Sequence, residues 1–319
     1  MPISIAQYLT RGLLLMSSWG FTHLSLAQEP PLNPSAPAAA ATVSTTGNAG
    51  AGSKGFLWEV KDKQNTLFIF GSIHAAKASF YPLQEAVEEA YRRADLLAVE
   101  VDVTDKEAME KAMPSLTFRA PDKLENHLSK ASWRTMNAVF GEGREQFQAL
   151  RPGAVVSVVL MQTFAKQGYL PEFGLDKHFI ERARNDKKPV LELESVAFQA
   201  NVLGGLNDID GEAWLMQTLA ELRDGRAQEE LAALVAAWQQ GDEVALAKII
   251  QASAGKDKIS QKLTRLLFDE RNVGMSKKIT TLLNSSKKVL VVVGAGHFVG
   301  QNSILDILQK QGYQVRQIK

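Results

Sequence analysis

The chain has 319 residues, 45% of them hydrophobic and 22% charged, with a formal net charge of +1. That is enough apolar content for one large core or two small ones, and near-neutrality without a basic stripe argues against nucleic acid as a partner. Cysteine is absent, which excludes disulfides, thiolate metal ligands and a cysteine nucleophile.

At the amino terminus, Arg11 precedes a short apolar run over residues 12–21, and Ser25 and Ala27 are the small residues that a cleavage site before Gln28 requires. Residues 1–27 therefore read as a secretory signal peptide, and the protein is expected to be secreted or periplasmic. A short uncleaved anchor is the alternative, and it alone would bring the protein close to a membrane. Residues 28–54 are rich in Pro, Ala and Gly without periodic hydrophobicity, as in a disordered linker. The folded domain is expected over 55–319.

Residues 56–60 and 66–70 are apolar runs around a polar stretch, which predicts an antiparallel hairpin. A helix follows, with Pro82 in its first turn and Leu83, Val87, Ala90, Tyr91 and Ala94 on one face. Residues 96–101 read as the next strand, so strand, helix and strand form a parallel crossover. That unit would place Glu100 on a strand adjacent to the one leading to His74.

Residues 105–186 read as mainly helical, with Trp133, Phe140, Phe147 and Leu150 as core candidates, a break at Arg151-Pro152-Gly153 and a helix start at Gly174. Residues 189–194 predict a short strand. Helical patterning resumes over 197–285, including one segment over 229–252 and a basic amphipathic one near 257–284. The chain closes with a strand at 288–293, a helix near 302–311 and a strand at 313–318. The expected fold is α/β, a mixed sheet with a parallel strand-helix-strand core and a large, mainly helical insertion.

Two of the five histidines leave predicted strands in the same way, in Gly71-Ser72-Ile73-His74 and Gly294-Ala295-Gly296-His297. Residues just beyond a parallel strand reach the crevice at the sheet's carboxyl edge, where open α/β sheets bind ligands. A satisfied core histidine fits each motif taken alone; the repeat favours a shared site. His127 and His178 read as surface groups. Two imidazoles and a carboxylate suffice for a divalent transition metal, with zinc, manganese and cobalt equally allowed.

Glu100 ranks first among the carboxylates, as ligand or general base, followed by Glu194 at another strand end and Asp176 at a helix start. Arg271 fits either a substrate carboxylate or a structural one such as Glu194. Gly71, Gly294 and Gly296 would allow close backbone approach or a positive φ.

At these residues the chain resembles the TraB/GumN family, whose relatives include the Tiki metalloproteases and the pheromone-shutdown proteins. The resemblance runs over about residues 56–319, through Leu57-Trp58, the first His motif, Tyr81-Pro82-Leu83, Val99-Glu100, Gly174-Leu175-Asp176, Lys188-Pro189-Val190, Leu193-Glu194, Arg271-Asn272 and the second His motif. It implies that the two Gly-x-x-His motifs and Glu100 are metal-dependent peptidase residues; on the reading of the residues themselves, Arg271 with Asn272 would orient Glu194 or the substrate. The chain is more similar to the GumN-like branch than to the Tiki branch.

The expected function is a metal-dependent hydrolase acting on a peptide or small-molecule substrate. A non-catalytic protein holding a peptide, a metal or haem in the same crevice is the alternative. The sequence sets no oligomeric state.

Overall fold

A computed structural model describes residues 55–62, 65–253 and 257–318, so the expected leader and linker lie outside the described residues. Strand β1 (Phe56–Lys61) pairs antiparallel with β2 (Thr66–Ser72), as expected of the hairpin, with Trp58 opposite Ile69. Helix α1 (Glu85–Arg93) buries Val87, Ala90 and Tyr91 and leads to β3 (Leu96–Val99). It starts three residues after Pro82, which lies in the approach to the helix rather than in its first turn.

The insertion begins with α2 (Lys106–Leu116), α3 (Lys130–Phe140), α4 (Pro152–Lys166) and α5 (Leu175–Asn185). The short strand β4 (Val190–Glu192) interrupts it before α6 (Val196–Gly204), α7 (Asp208–Arg223), α8 (Arg226–Gln240) and α9 (Glu243–Ser253). It ends with α10 (Lys258–Thr264) and α11 (Glu270–Leu283), joined by a π-helical turn over Arg265–Asp269. The chain then returns to the sheet through β5 (Val289–Gly294), α12 (Ile304–Lys310) and β6 (Gln314–Ile318). Among the described residues no helix is long and apolar enough to cross a membrane.

Several local expectations change. The helical stretch over 229–252 is two helices, because Gly241 takes a left-handed φ of 65° and closes α8. Arg151-Pro152-Gly153 is a helix start, with proline at the first helical position, where its missing N–H costs no bond. Trp133 and Phe140 pack half-buried against the core, whereas Phe147 and Leu150 are fully inside it.

The six strands lie in the order β4-β3-β5-β2-β1-β6. Strands β4, β3, β5 and β2 run parallel, while β1 is antiparallel to both β2 and β6. The order corrects the expected neighbourhood of Glu100: the crossover through α1 skips a position, and β5 fills it, pairing with β2 on one side and β3 on the other. Every residue of β5 is buried, as an apolar run covered on both faces and both edges must be. Glu100 thus follows the strand next to the one leading to His297, one strand further from that of His74.

Candidate functional site

The carboxyl ends of β2, β3, β4 and β5 bring the candidate residues together. Beyond β2, His74 Nδ1 lies 2.6 Å from Asp176 Oδ2, and the Ser72 hydroxyl donates to the other oxygen of Asp176 at 2.7 Å. Asp176 sits in the first turn of α5, buried to 2% exposure. Gly174 lets that helix begin hard against the histidine: a Cβ there would stand 2.3 Å from the His74 carbonyl oxygen. The Leu175 N–H donates to the Ile73 carbonyl at 3.1 Å and fixes the same approach.

Beyond β5, a tight turn over Ala295–Phe298 carries His297, which is completely buried against the Phe268 ring. Its Nδ1 lies 2.6 Å from Asn272 Oδ1, while the Asn272 amide nitrogen donates to the Asn302 carbonyl at 2.8 Å. With the amide oriented in that way, Oδ1 can only accept, so the His297 proton is on Nδ1 and the lone pair is on Nε2. Nε2 is buried and has no hydrogen-bond partner. Burial, the nearby Arg271 charge and that of His74 hold the His297 pKa well below the ordinary histidine value. The ring therefore stays neutral at pH 7.

The carboxylates are organised around Arg271. Its Nε and one terminal nitrogen hold Glu194, at 3.0 and 2.6 Å, and that same nitrogen donates to Glu100 Oε1. Gln199, fully buried on α6, donates to Glu100 Oε1 at 2.7 Å and to Glu194 Oε2 at 3.0 Å. The other Glu100 oxygen accepts from the Gly294 N–H at 3.3 Å, at the start of the second motif. Burial pushes the Glu100 pKa up, opposed by the Arg271 and His74 charges. The Arg271 pKa is raised by the two carboxylates, which outweigh its burial.

The glycines act by proximity rather than by positive φ. None of Gly71, Gly294 and Gly296 is in the left-handed region, and Gly294 has φ −49°. A Cβ on Gly71 would meet Ala295 Cβ at 3.1 Å, so this glycine lets the two motif turns pack against each other. Of the two histidines expected at the surface, His178 is half-buried and tilted against Tyr81, with ring centroids 4.7 Å apart. His127 bridges Asp122 and Asp208 at the surface.

Two participants lack a signal in the sequence reading, Ser72 and Gln199. Ser72 is the second residue of the first His motif, and Gln199 is a polar residue at an inward position of an otherwise apolar helix start. Clefts of about 460 Å³, beside Lys61, Arg93 and Lys288, and about 790 Å³, beside Gln84, Asp242 and Ile318, contain none of the site residues.

A divalent metal fits the two imidazoles better than the carboxylates. Each histidine directs Nδ1 at an oxygen, the arrangement that orients metal-ligating histidines, and the orphaned His297 Nε2 is a buried lone pair without a partner. Glu100 Oε1 and both Glu194 oxygens, by contrast, accept from Arg271. Among the described residues no three His, Asp or Glu side chains stand together as a complete metal site.

Inward-facing imidazoles beside an arginine-bridged carboxylate pair make this an α/β protein with a polar centre at the carboxyl edge of its parallel strands. Residues 56–317 match the model of the TraB/PrgY/gumN family, and the chain belongs to that family. It is similar to the uncharacterized protein YbaP of Escherichia coli, 26% identical over 246 residues covering 76% of this chain and 87% of YbaP. It is also similar to the metalloprotease TIKI1 of Xenopus tropicalis, 26% identical over 321 residues, and to that of Homo sapiens, 25% identical over the same length. In both cases 82% of this chain is covered, and the chain spans 61% of the TIKI1 protein.

Proposed function

We propose that the protein is a secreted or periplasmic metal-dependent hydrolase acting on peptide or amide bonds. The observation that carries this is His297 Nε2, a buried lone pair without a partner on a ring whose tautomer Asn272 fixes. His74, held by Asp176, is its counterpart, and together they would hold zinc, manganese or cobalt. When bound, such a metal supplies Lewis acidity towards a carbonyl and makes water more acidic.

The chain's own residues supply the rest. Asp176 and Asn272 orient the imidazoles, and the depressed His297 pKa keeps that ring in the unprotonated form a ligand requires. Glu100 is the general base. Its Oε2, which accepts the long bond from the Gly294 N–H, is the oxygen that takes a proton from water, and burial raises its affinity for that proton. Arg271, itself held by Glu194, fixes Glu100 from the opposite side. The similarity to the metalloprotease TIKI1 supports the peptidase class.

A non-catalytic reading, in which the same crevice holds a peptide, a metal or haem, draws on one observation: the Glu100 oxygens already accept from Arg271, Gln199 and Gly294. Metal content of untagged protein, combined with turnover of a peptide library in the presence of manganese, cobalt or zinc, separates the two. Near-stoichiometric metal should be present in the wild type and lost in the His74→Ala/His297→Ala double variant, with Glu100→Gln retaining metal but not cleavage. Unchanged metal in the double variant removes the site assignment, and metal binding without any cleavage favours the non-catalytic reading.

A further inference from the structure

Four atoms from four segments close a ring. Glu100 Oε1, just past β3, and Glu194 Oε2, just before α6, both accept from Gln199 Nε2 on one side and from one terminal nitrogen of Arg271 on the other. Gln199 is fully buried, Arg271 and Glu100 are 1% exposed, and the Glu194 side chain is 5% exposed. Two carboxylates so close together repel, and one guanidinium offsets only one of their charges. Arg271 also spends Nε and part of that terminal nitrogen on Glu194, and another terminal nitrogen on the Leu267 carbonyl at 3.2 Å.

We propose that Gln199 is a positioning residue of the site: its amide spans Glu100 and Glu194 and keeps the second Glu100 oxygen turned towards Gly294 and the His297 turn. This rests on the hydrolase reading for its consequence, not for its geometry. The residue type suits the task. A single amide nitrogen brings two hydrogens and no charge, so it satisfies an oxygen on each carboxylate without over-neutralising a pair that already has Arg271. The side chain reaches inward from the first turn of α6, whose start is set by Ser195 capping the Phe198 N–H at 3.2 Å. A bond to a charged acceptor in a buried setting is of the stronger kind, so its loss moves the carboxylate it holds.

The test is a double-mutant cycle of Gln199→Met, which keeps length and removes both donors, with Glu194→Gln, which removes the repulsion Gln199 bridges. In the wild-type background Gln199→Met should lower kcat about 10- to 100-fold and leave KM within about threefold, as loss of an interaction realised in the transition state does. In the Glu194→Gln background the same change should lower kcat only about twofold, because the two sites act as one unit. An equal loss in both backgrounds, or a rise in KM alone, overturns the proposal. Absence of turnover by the wild type overturns the hydrolase reading instead, and the same four proteins are then compared by urea midpoint. A midpoint drop for Gln199→Met that shrinks in the Glu194→Gln background supports the bridge; identical drops, or none, overturn it.

Discussion

The two Gly-x-x-His turns share spacing, strand context and burial, yet they pin their imidazoles on different acceptors. His74 faces a carboxylate, Asp176, itself held by Ser72, while His297 faces the neutral amide of Asn272 and lies near the Arg271 charge. The lesson is that a repeated motif fixes where a side chain emerges but not its electrostatics. Those come from whichever helix the fold lays against it, α5 for the first histidine and α11 for the second.

The largest expected effect breaks this contrast at its source. Arg271→Met removes the cation that adds to burial in depressing His297 and leaves Glu100 and Glu194 buried without that charge partner. Removing one member of a buried ion pair costs about 3–5 kcal/mol, so urea unfolding at pH 7 should show a loss of that size. A loss below about 1 kcal/mol, the range of an exposed pair, would mean that the cluster is solvated.

A smaller effect has to be removed before the histidines can be compared by pH. Glu221 on α7 is buried to 2% exposure, and burial, partly offset by the Gln217 amide at 3.1 Å, pushes its pKa up to about 8. The unfolded chain releases this proton near 4.5, so the stability tied to the protonated carboxyl is complete below that pH and is lost as pH rises through about 8. Glu221→Gln should therefore stabilise the protein by up to about 4 kcal/mol at pH 8 and hardly change it at pH 4. Equal urea midpoints for variant and wild type at pH 8 would place the carboxyl in solvent.

In that background His297 is read as the difference one substitution at its partner makes, since His127, His178 and Glu100 also titrate with shifted pKa values, and the effect is the smallest. Its folded pKa is depressed from 6.5, so the unfolded chain binds the proton first and stability falls as pH drops below 6.5, by up to about 1.4 kcal/mol per pH unit. Asn272→Asp would give His297 the type of partner that His74 has, and the slope between pH 6.5 and 5.5 should flatten by about 1 kcal/mol. An unchanged slope would show that desolvation alone governs the ring.

Most of the elements are legible in the sequence because their patterns are local. The continuous apolar run of β5, the alternating face of α1 and the polar turn of the β1–β2 hairpin each declare themselves within a few residues. The site residues are legible as strand ends and helix starts for the same reason. The order of the strands is not, because nothing in residues 66–99 records that a strand from the far end of the chain separates β2 from β3. The pairing of Asp176 with His74 rather than with the second motif, and the bridging amide of Gln199, depend on how α5 and α6 dock. Those contacts span 102 and 99 positions of sequence and leave no spacing to read.

The position of β5 also has a bearing on how the molecule is made. The central strand of the sheet is synthesised long after its two neighbours, and it is the one that joins β2 to β3. Until residues 289–294 emerge, the chain holds two hydrophobic strands with facing unpaired edges and a gap one strand wide between them. Closing that gap brings together segments separated by about two hundred residues, a slow step dominated by the entropy of the intervening loop. A chain cut short at about residue 285 retains the segments of α1 to α11 but exposes those two edges, and its expected fate is strand-mediated self-association.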